Sequence, residues 1–288
     1  MTPRVTVGVP VFNGEAFLEE CLTALRAQSY EDIEVLIFDN ASTDRTAEIV
    51  ADFASMDPRF VHTRKQQTCP PGDNFLDVAK AARGAYFLWR AHDDLSEPDF
   101  VERLVAVLDA EPNARLAASR VRSTRLSADG EVLKAREIPF RLPAATAHLS
   151  RLSETLELMH QSWLYGLWRR ETAVEVWRRI YGAYPNAWAS DLLMLFALAA
   201  RDQIAGTDET VFVQRIVAKT GQHDSQRAAT SAETMRKRRA DFLTVCREEM
   251  ISAGFTEVDV RKAARMLERF ASSRVYSRRK IWRARVGL

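Results

Sequence analysis

Cysteine is scarce in this chain of 288 residues: Cys21, Cys69 and Cys246 stand far apart and never in a CxxC spacing. That argues against a disulfide framework or a structural zinc site and fits a reducing cytoplasm. Glycine-rich phosphate loops are missing as well. The first strand ends in Val9-Pro10-Val11-Phe12-Asn13-Gly14, and Gly-x-Gly-x-x-Gly is absent, which disfavours sugar nucleotidyltransferases and dinucleotide-dependent dehydrogenases. The longest apolar run, Leu192 to Ala200, is far too short to span a bilayer. No charged leader with an apolar core precedes the opening strand pattern MTPRVTVGVP, so no signal peptide is expected. An excess of charge of one sign is lacking too. The 41 basic and 39 acidic residues leave a formal net charge of +2, so no overall drive toward nucleic acid exists and any basic function must be local.

What is present is a chain 47% hydrophobic and 28% charged, long enough for one large domain or a domain with an appendage. Val5 to Val11 is an apolar, β-branched run closed by Phe12-Asn13-Gly14, and Phe17, Cys21, Leu22 and Leu25 follow at helical spacing, predicting strand, turn, helix. Ile33 to Phe38 repeats the pattern and stops at the turn and N-cap cluster Asp39 to Asp44. A short strand at Phe60 to Thr63, a helix over Asn74 to Ala82 and a strand over Ala85 to Ala91 are expected next. Such alternation implies a mostly parallel sheet with right-handed crossovers, and ligands sit at the carboxyl ends of its strands.

The stretch YFLWRAHDDLSE, residues 86 to 97, is the most telling. An apolar strand opens onto the adjacent acids Asp93 and Asp94, which repel each other unless a cation, solvent or hydrogen bonds reach them. Hard cations take oxygen ligands and keep positions open for substrate phosphates, so the pair suggests a metal-bound diphosphate. The competing reading is that the acids only start the next helix, where Ser96, Pro98 and Asp99 resemble a capping box. Asp39 also falls at a strand carboxyl end, which helix capping does not explain.

VTVGVPVFNG (5 to 14), FDNASTDRT (38 to 46), Asn74, Ala79 and Gly84 leading into WRAHDD, and the later YGLWRRE and ASDLLM together resemble a family 2 glycosyltransferase over roughly residues 4 to 225. The resemblance implies a GT-A fold, Rossmann-like and α/β, with flanking helices. It further implies an inverting glycosyltransferase of the EC 2.4 class, using a nucleotide-diphosphate sugar, UDP foremost with dTDP or GDP as alternatives, and Mg²⁺ or Mn²⁺. On that resemblance the backbone from Pro10 through Phe12 and Asn13 cradles the nucleotide and Asp39 contacts its base. Asp93 and Asp94 serve the metal and the ribose diphosphate, with either as the direct ligand, and Asp191 is the general base. Asn74 is a further nucleotide contact or the cap of its helix. Arg215 and His223 lie in a segment that often closes over the donor. Many members carry an acid two places before the first paired aspartate, where this chain has Ala91, and Glu-Asp at the base position, where it has Ser190-Asp191. A catalytically degenerate nucleotide- or glycan-binding module is therefore the alternative.

Arg64 and Lys65 are candidates for phosphate, and Arg169 and Arg170 beside Trp168 for an acceptor phosphate or sugar, against ion pairs with Glu171 and Glu175. Asp191 also suits helix capping. Residues 1–225 read as the catalytic domain, divided into a nucleotide-sugar half (1–122) and an acceptor half (123–225), and 226–288 as a basic helical appendage. From Phe255 to Leu288 ten Lys/Arg face three Asp/Glu, with Met266, Leu267, Phe270, Val275, Ile281 and Trp282 interleaved. This stretch is either an interfacial helix on anionic lipid or a helix packed on the catalytic domain with a solvated basic face. The expected acceptor is a glycan or a lipid-linked molecule, and the expected location is cytoplasmic, including the inner membrane face.

Overall fold

Seven consecutive buried residues, Val5–Val11, form β1 at the middle of the sheet. A strand covered on both faces reads as an unbroken apolar run rather than an alternating one. The computed structural model describes residues 2–127, 130–186, 189–217 and 230–286; His223 lies outside them. β1 pairs in parallel with β2 (Ile33–Asp39) and β4 (Tyr86–Trp89), and β2 pairs in parallel with β3 (Phe60–Arg64). Between them run α1 (Leu18–Arg26), α2 (Thr46–Met56) and α3 (Pro71–Ala81). The apolar positions predicted for α1 face inward, with Leu18, Cys21, Leu22 and Leu25 buried.

After a two-residue β5 (Leu95–Ser96) and α4 (Phe100–Ala110) the alternation changes. β6 (Leu116–Leu126) pairs antiparallel with β7 (Val132–Ile138) and with the short β8 (Leu167–Arg169), which joins it antiparallel to β4. α5 (His148–Leu158) and a 3₁₀ turn, Gln161–Tyr165, lie between β7 and β8. α6 (Arg170–Ala183) and α7 (Ser190–Ala199) lead to β9 (Ile204–Val217). This 14-residue strand pairs in parallel with β6 and antiparallel with β5. The order is β3-β2-β1-β4-β8-β6-β9-β5, with β7 beside β6.

α8 (Ala232–Ser252), α9 (Glu257–Lys262), α10 (Ala264–Arg274) and α11 (Arg278–Val286) finish the chain. They share one continuous core with the sheet domain. Phe270 meets both Phe196 of α7 (6.0 Å) and Phe242 of α8 (5.7 Å). The buried Glu249 of α8 ties Arg179 of α6 to Arg201, the latter at 2.7 Å. The helices therefore brace α7 from behind. Among the described residues no helix is long and apolar enough to cross a membrane.

Candidate active site

The turn after β1 and the turn after β2 are built against each other. Asn13 takes a left-handed backbone (φ 51°), its N–H donates to Ser42 Oγ at 2.9 Å, and its Oδ1 accepts from the Thr43 N–H at 2.9 Å. Gly14 N–H donates to Thr46 Oγ1 at 2.8 Å. Ala41 is also left-handed (φ 59°). Non-glycine residues hold that conformation at a cost and concentrate at functional sites. Pro10 belongs to β1 itself, opposite Phe38, and is buried. Phe12, 47% exposed, stands at the mouth. The matched segment thus presents backbone and one aromatic ring rather than a phosphate loop.

Asp39 ends β2 and is fully buried. One oxygen accepts the Ser42 N–H at 2.8 Å; the other has no hydrogen-bond partner, although exposed Arg64 places Nε 3.3 Å away. Lys65, in contrast, is spent on Asp77 at 2.6 Å. Asn74 is not the first residue of its helix: α3 starts at Pro71, a residue suited to a first turn, and Asn74 lies buried within it. Its Nδ2 donates to the Phe38 carbonyl at 2.9 Å, while its Oδ1 is unpartnered. Asp39 and Asn74 each keep one buried acceptor without a donor. Leaving such an atom unpaired costs free energy that a ligand donor would recover.

β4 carries the acid pair. Asp94 is buried and accepts the backbone N–H of Arg215 at 2.8 Å. Burial, and then the neighbouring Asp93 charge, push its carboxyl up to about 7. Arg215, expected in a segment that often closes over the donor, lies near the end of β9. Its guanidinium bonds the Asp93 carbonyl and the Glu20 carboxylate and covers the Phe17 ring at 4.9 Å, leaving Nη2 unpartnered. It braces the acid-pair turn from below. His92 packs against Gly14, and burial holds its imidazole below the usual range.

Arg90, four residues before Asp94, was not singled out in the sequence. It is fully buried between the rings of Phe100 (5.3 Å) and Phe212 (5.1 Å). Only Nη2 is hydrogen-bonded, to Ser96 Oγ at 2.9 Å; Nε and Nη1 are unpartnered. A buried cation this poorly satisfied is expensive, and it is held next to the most strongly perturbed carboxyl in the site. The charge run WRAHDD contained the signal, but nothing in it shows that Arg90 points inward.

Asp191 lies in the first turn of α7, after Ala189, a third left-handed non-glycine residue (φ 69°). Its Oδ1 accepts the Leu192 N–H at 2.9 Å. Burial holds its carboxyl above the usual range. Tyr165, at the end of the 3₁₀ turn and stacked on Phe212 at 5.4 Å, joins the two groups. Burial, and then the nearby charges of Asp94, Asp191 and Asp93, keep the proton on its phenol, against the opposing charge of Arg90. Periodicity does not reveal such a residue, because a 3₁₀ turn leaves no repeat to read.

Trp168, Arg169 and Arg170 are placed elsewhere. β8 runs antiparallel to β4, so Arg169 faces Tyr86, at the amino end of that strand, away from Asp93. Arg169 donates to the carbonyls of Ala114 (2.8 Å) and Leu108 (3.0 Å), and Trp168 is fully buried with Nε1 on the Leu164 carbonyl. Trp168 and Arg169 thus brace the sheet, and Arg170 lies 4.0 Å from Glu171, one of the ion pairs weighed against an acceptor contact.

A family model described as glycosyl transferase family 2 matches residues 6–161, just over half of the chain. The chain belongs to glycosyl transferase family 2. Glycosyltransferase GlyA of Streptococcus pneumoniae is 32% identical over 101 residues, 35% of this chain and 14% of that protein; the chain thus spans a small part of the curated relatives it matches, 13% in the case of y4gI from Sinorhizobium fredii. The fold resembles S. aureus TarS 1-349, solved with UDP-GlcNAc, at a TM-score of 0.65 and 19% identity, covering 94% of this chain and 71% of TarS 1-349. It also resembles mannosyltransferase PcManGT from Pyrobaculum calidifontis, solved with GDP-Man and Mn²⁺, at 0.53 and 19%, covering 95% of this chain and 76% of the other. The architecture of this family 2 member is the GT-A fold with helices packed at its C-terminal side.

Proposed function

We propose that the protein transfers a glycosyl unit, with inversion, from a nucleotide-diphosphate sugar to a hydroxyl of a glycan or lipid-linked acceptor. One observation carries this reading: acids stand at the end of β2, just after β4 and at the start of α7, Asp39 and Asp94 buried and Asp93 and Asp191 half-buried, and Asp39 Oδ2 lacks a hydrogen-bond partner. Asp39 and Asn74 receive the nucleotide, with Arg64 moving aside from Asp39 Oδ2, and the backbone of Phe12 and Asn13 flanks it. The carboxylates Asp93 and Asp94 fit a divalent ion shared with the substrate diphosphate, since such ions use one or two carboxylates plus phosphate oxygens. They do not fit a protein-enclosed ion, for no group of three or more ligating side chains exists among the described residues. When bound, Mg²⁺ or Mn²⁺ supplies charge stabilisation to the leaving diphosphate.

Asp191 takes the proton from the acceptor hydroxyl. Its raised basicity suits that task, and the Leu192 N–H fixes one oxygen so that the other faces the acceptor. Tyr165 orders the space between Asp191 and the acid pair. Residues 1–225 hold both substrates in this scheme, with the donor in 1–122. Proteins of like fold were solved with UDP-GlcNAc and GDP-Man, which supports a nucleotide-sugar donor, and UDP is the first choice.

A second reading, a degenerate nucleotide- or glycan-binding module, is favoured by Ala91 together with the buried cation Arg90. Incubation with UDP-, GDP- and dTDP-sugars plus Mn²⁺, followed by measurement of nucleoside diphosphate release, separates the two. Turnover of one donor supports transfer. Binding with no release from any donor, in the presence of a broad set of acceptors, supports the module.

A further inference from the structure

The last 20 residues, 269 to 288, contain seven Lys/Arg and no Asp or Glu. α11 is fastened to the body at its start. Ile281 is buried, Arg278 pairs with Glu268 at 3.1 Å, and Arg239 of α8 donates to the Tyr276 carbonyl at 2.7 Å. The rest of the helix faces outward. Trp282 is 57% exposed, a large apolar ring on the outer face of the helix. Arg278 and Arg279, four and three residues before it, and Arg285, three after it, flank the ring on the helix surface. Arg279, Arg283 and Arg285 make no ion pair or hydrogen bond among the described residues. Beside this helix, Arg265, Arg269 and Arg274, together with Glu157 and Glu268, line an open groove of about 1200 Å³ between α5 and α10, as do Leu156, Met266 and Phe270.

We infer that α11 and the rim of this groove form a docking surface for anionic phospholipid headgroups. An exposed tryptophan among unpaired arginines on an anchored helix matches the chemistry of an anionic bilayer interface, with the ring at headgroup depth and the guanidinium groups on phosphate. A solvated basic face needs no exposed tryptophan. The claim is independent of the transfer reaction. It places the membrane beside the acceptor side of the molecule, because Arg274 donates to the Met159 carbonyl at 2.9 Å, next to the 3₁₀ turn that ends in Tyr165.

Co-sedimentation of the full chain with vesicles of about 30% phosphatidylglycerol in phosphatidylcholine, against pure phosphatidylcholine, at ~100 mM NaCl tests the inference. Binding to the anionic vesicles alone is expected. At roughly a fivefold contribution per basic residue near the surface, Arg279→Ser, Arg283→Ser and Arg285→Ser combined weaken partitioning on the order of 100-fold. A blue shift of tryptophan emission on anionic vesicles is expected to vanish in Trp282→Phe, which keeps the test valid if the triple variant fails to fold. Equal binding to neutral vesicles, an emission shift that persists without Trp282, or release by millimolar glycerol phosphate would overturn the inference. Tighter binding to a DNA duplex than to the anionic vesicles would do the same and point to nucleic acid instead.

Discussion

Replacing Asp191 by asparagine removes the proposed base and little else. The new Oδ1 still accepts the Leu192 N–H, now at 2.9 Å, and the amide nitrogen takes the place of an oxygen that has no partner among the described residues. General-base catalysis contributes roughly 10²–10⁴ in rate, so kcat should fall by that factor, about 2.7–5.4 kcal/mol of lost transition-state stabilisation. Stability should move the other way. The folded carboxyl titrates above its unfolded value, so the buried anion weakens the fold at neutral pH, and that cost disappears as pH falls through the folded pKa. Asp191→Asn should therefore melt at or above the wild-type temperature at pH 8, with the difference shrinking in acid. Three readouts are needed: nucleoside diphosphate release at saturating donor and acceptor, calorimetric UDP affinity, and melting temperature. A kcat within about threefold of wild type refutes the base assignment. Loss of UDP affinity in a folded variant would make Asp191 a donor ligand instead.

Arg90→Met removes a buried guanidinium with two unpartnered nitrogens; melting temperature should hold or rise, while diphosphate affinity falls at least several-fold if the cation supports Asp94, as calorimetry will show. Gly14→Ala places a methyl 2.6 Å from Val11 Cγ2 and 2.9 Å from His92 Cδ2, so denaturant unfolding should show a loss of about 1–3 kcal/mol and a raised KM for the donor. His160 accepts the Ser162 N–H through Nδ1 at 3.2 Å, and burial followed by Arg274 and Arg136 lowers its pKa to about 4. The unfolded chain binds that proton first, so stability is full above the ordinary imidazole range and is lost as pH falls toward 4, by up to ~3 kcal/mol. His160→Gln should flatten that slope in urea melts between pH 6.5 and 4.

The first half of the fold was legible because each parallel strand is an unbroken β-branched run ended by turn residues, as in Val5–Val11 and Ile33–Asp39. Asp39, Asp93 and Asp94 stood out for a related reason: they sit where such runs stop, whereas Asp191, at the start of a helix, was named from the resemblance of ASDLLM. β9 was not. Its start, Ile-Ala-Gly-Thr-Asp-Glu-Thr, is polar and lacks period-two alternation, because the strand shifts register against β6 between Ser119 and Arg120. Arg215 was read only as part of a segment that often closes over the donor, although the strand is what aims its backbone N–H at Asp94. Trp168 and Arg169 misled in the opposite sense, since residue chemistry cannot show that β8 runs antiparallel and carries them to the far end of the sheet. Tyr165 and Arg90 become visible only when the chain is folded around them.

The claim on which the rest depends is that the acids ending β4 make a metal-dependent diphosphate site. Titration calorimetry of UDP into the wild type and Asp94→Asn, each with and without Mn²⁺, tests it most directly. The account predicts tight binding only for the wild type with Mn²⁺. Equal UDP affinity in all four titrations would contradict it.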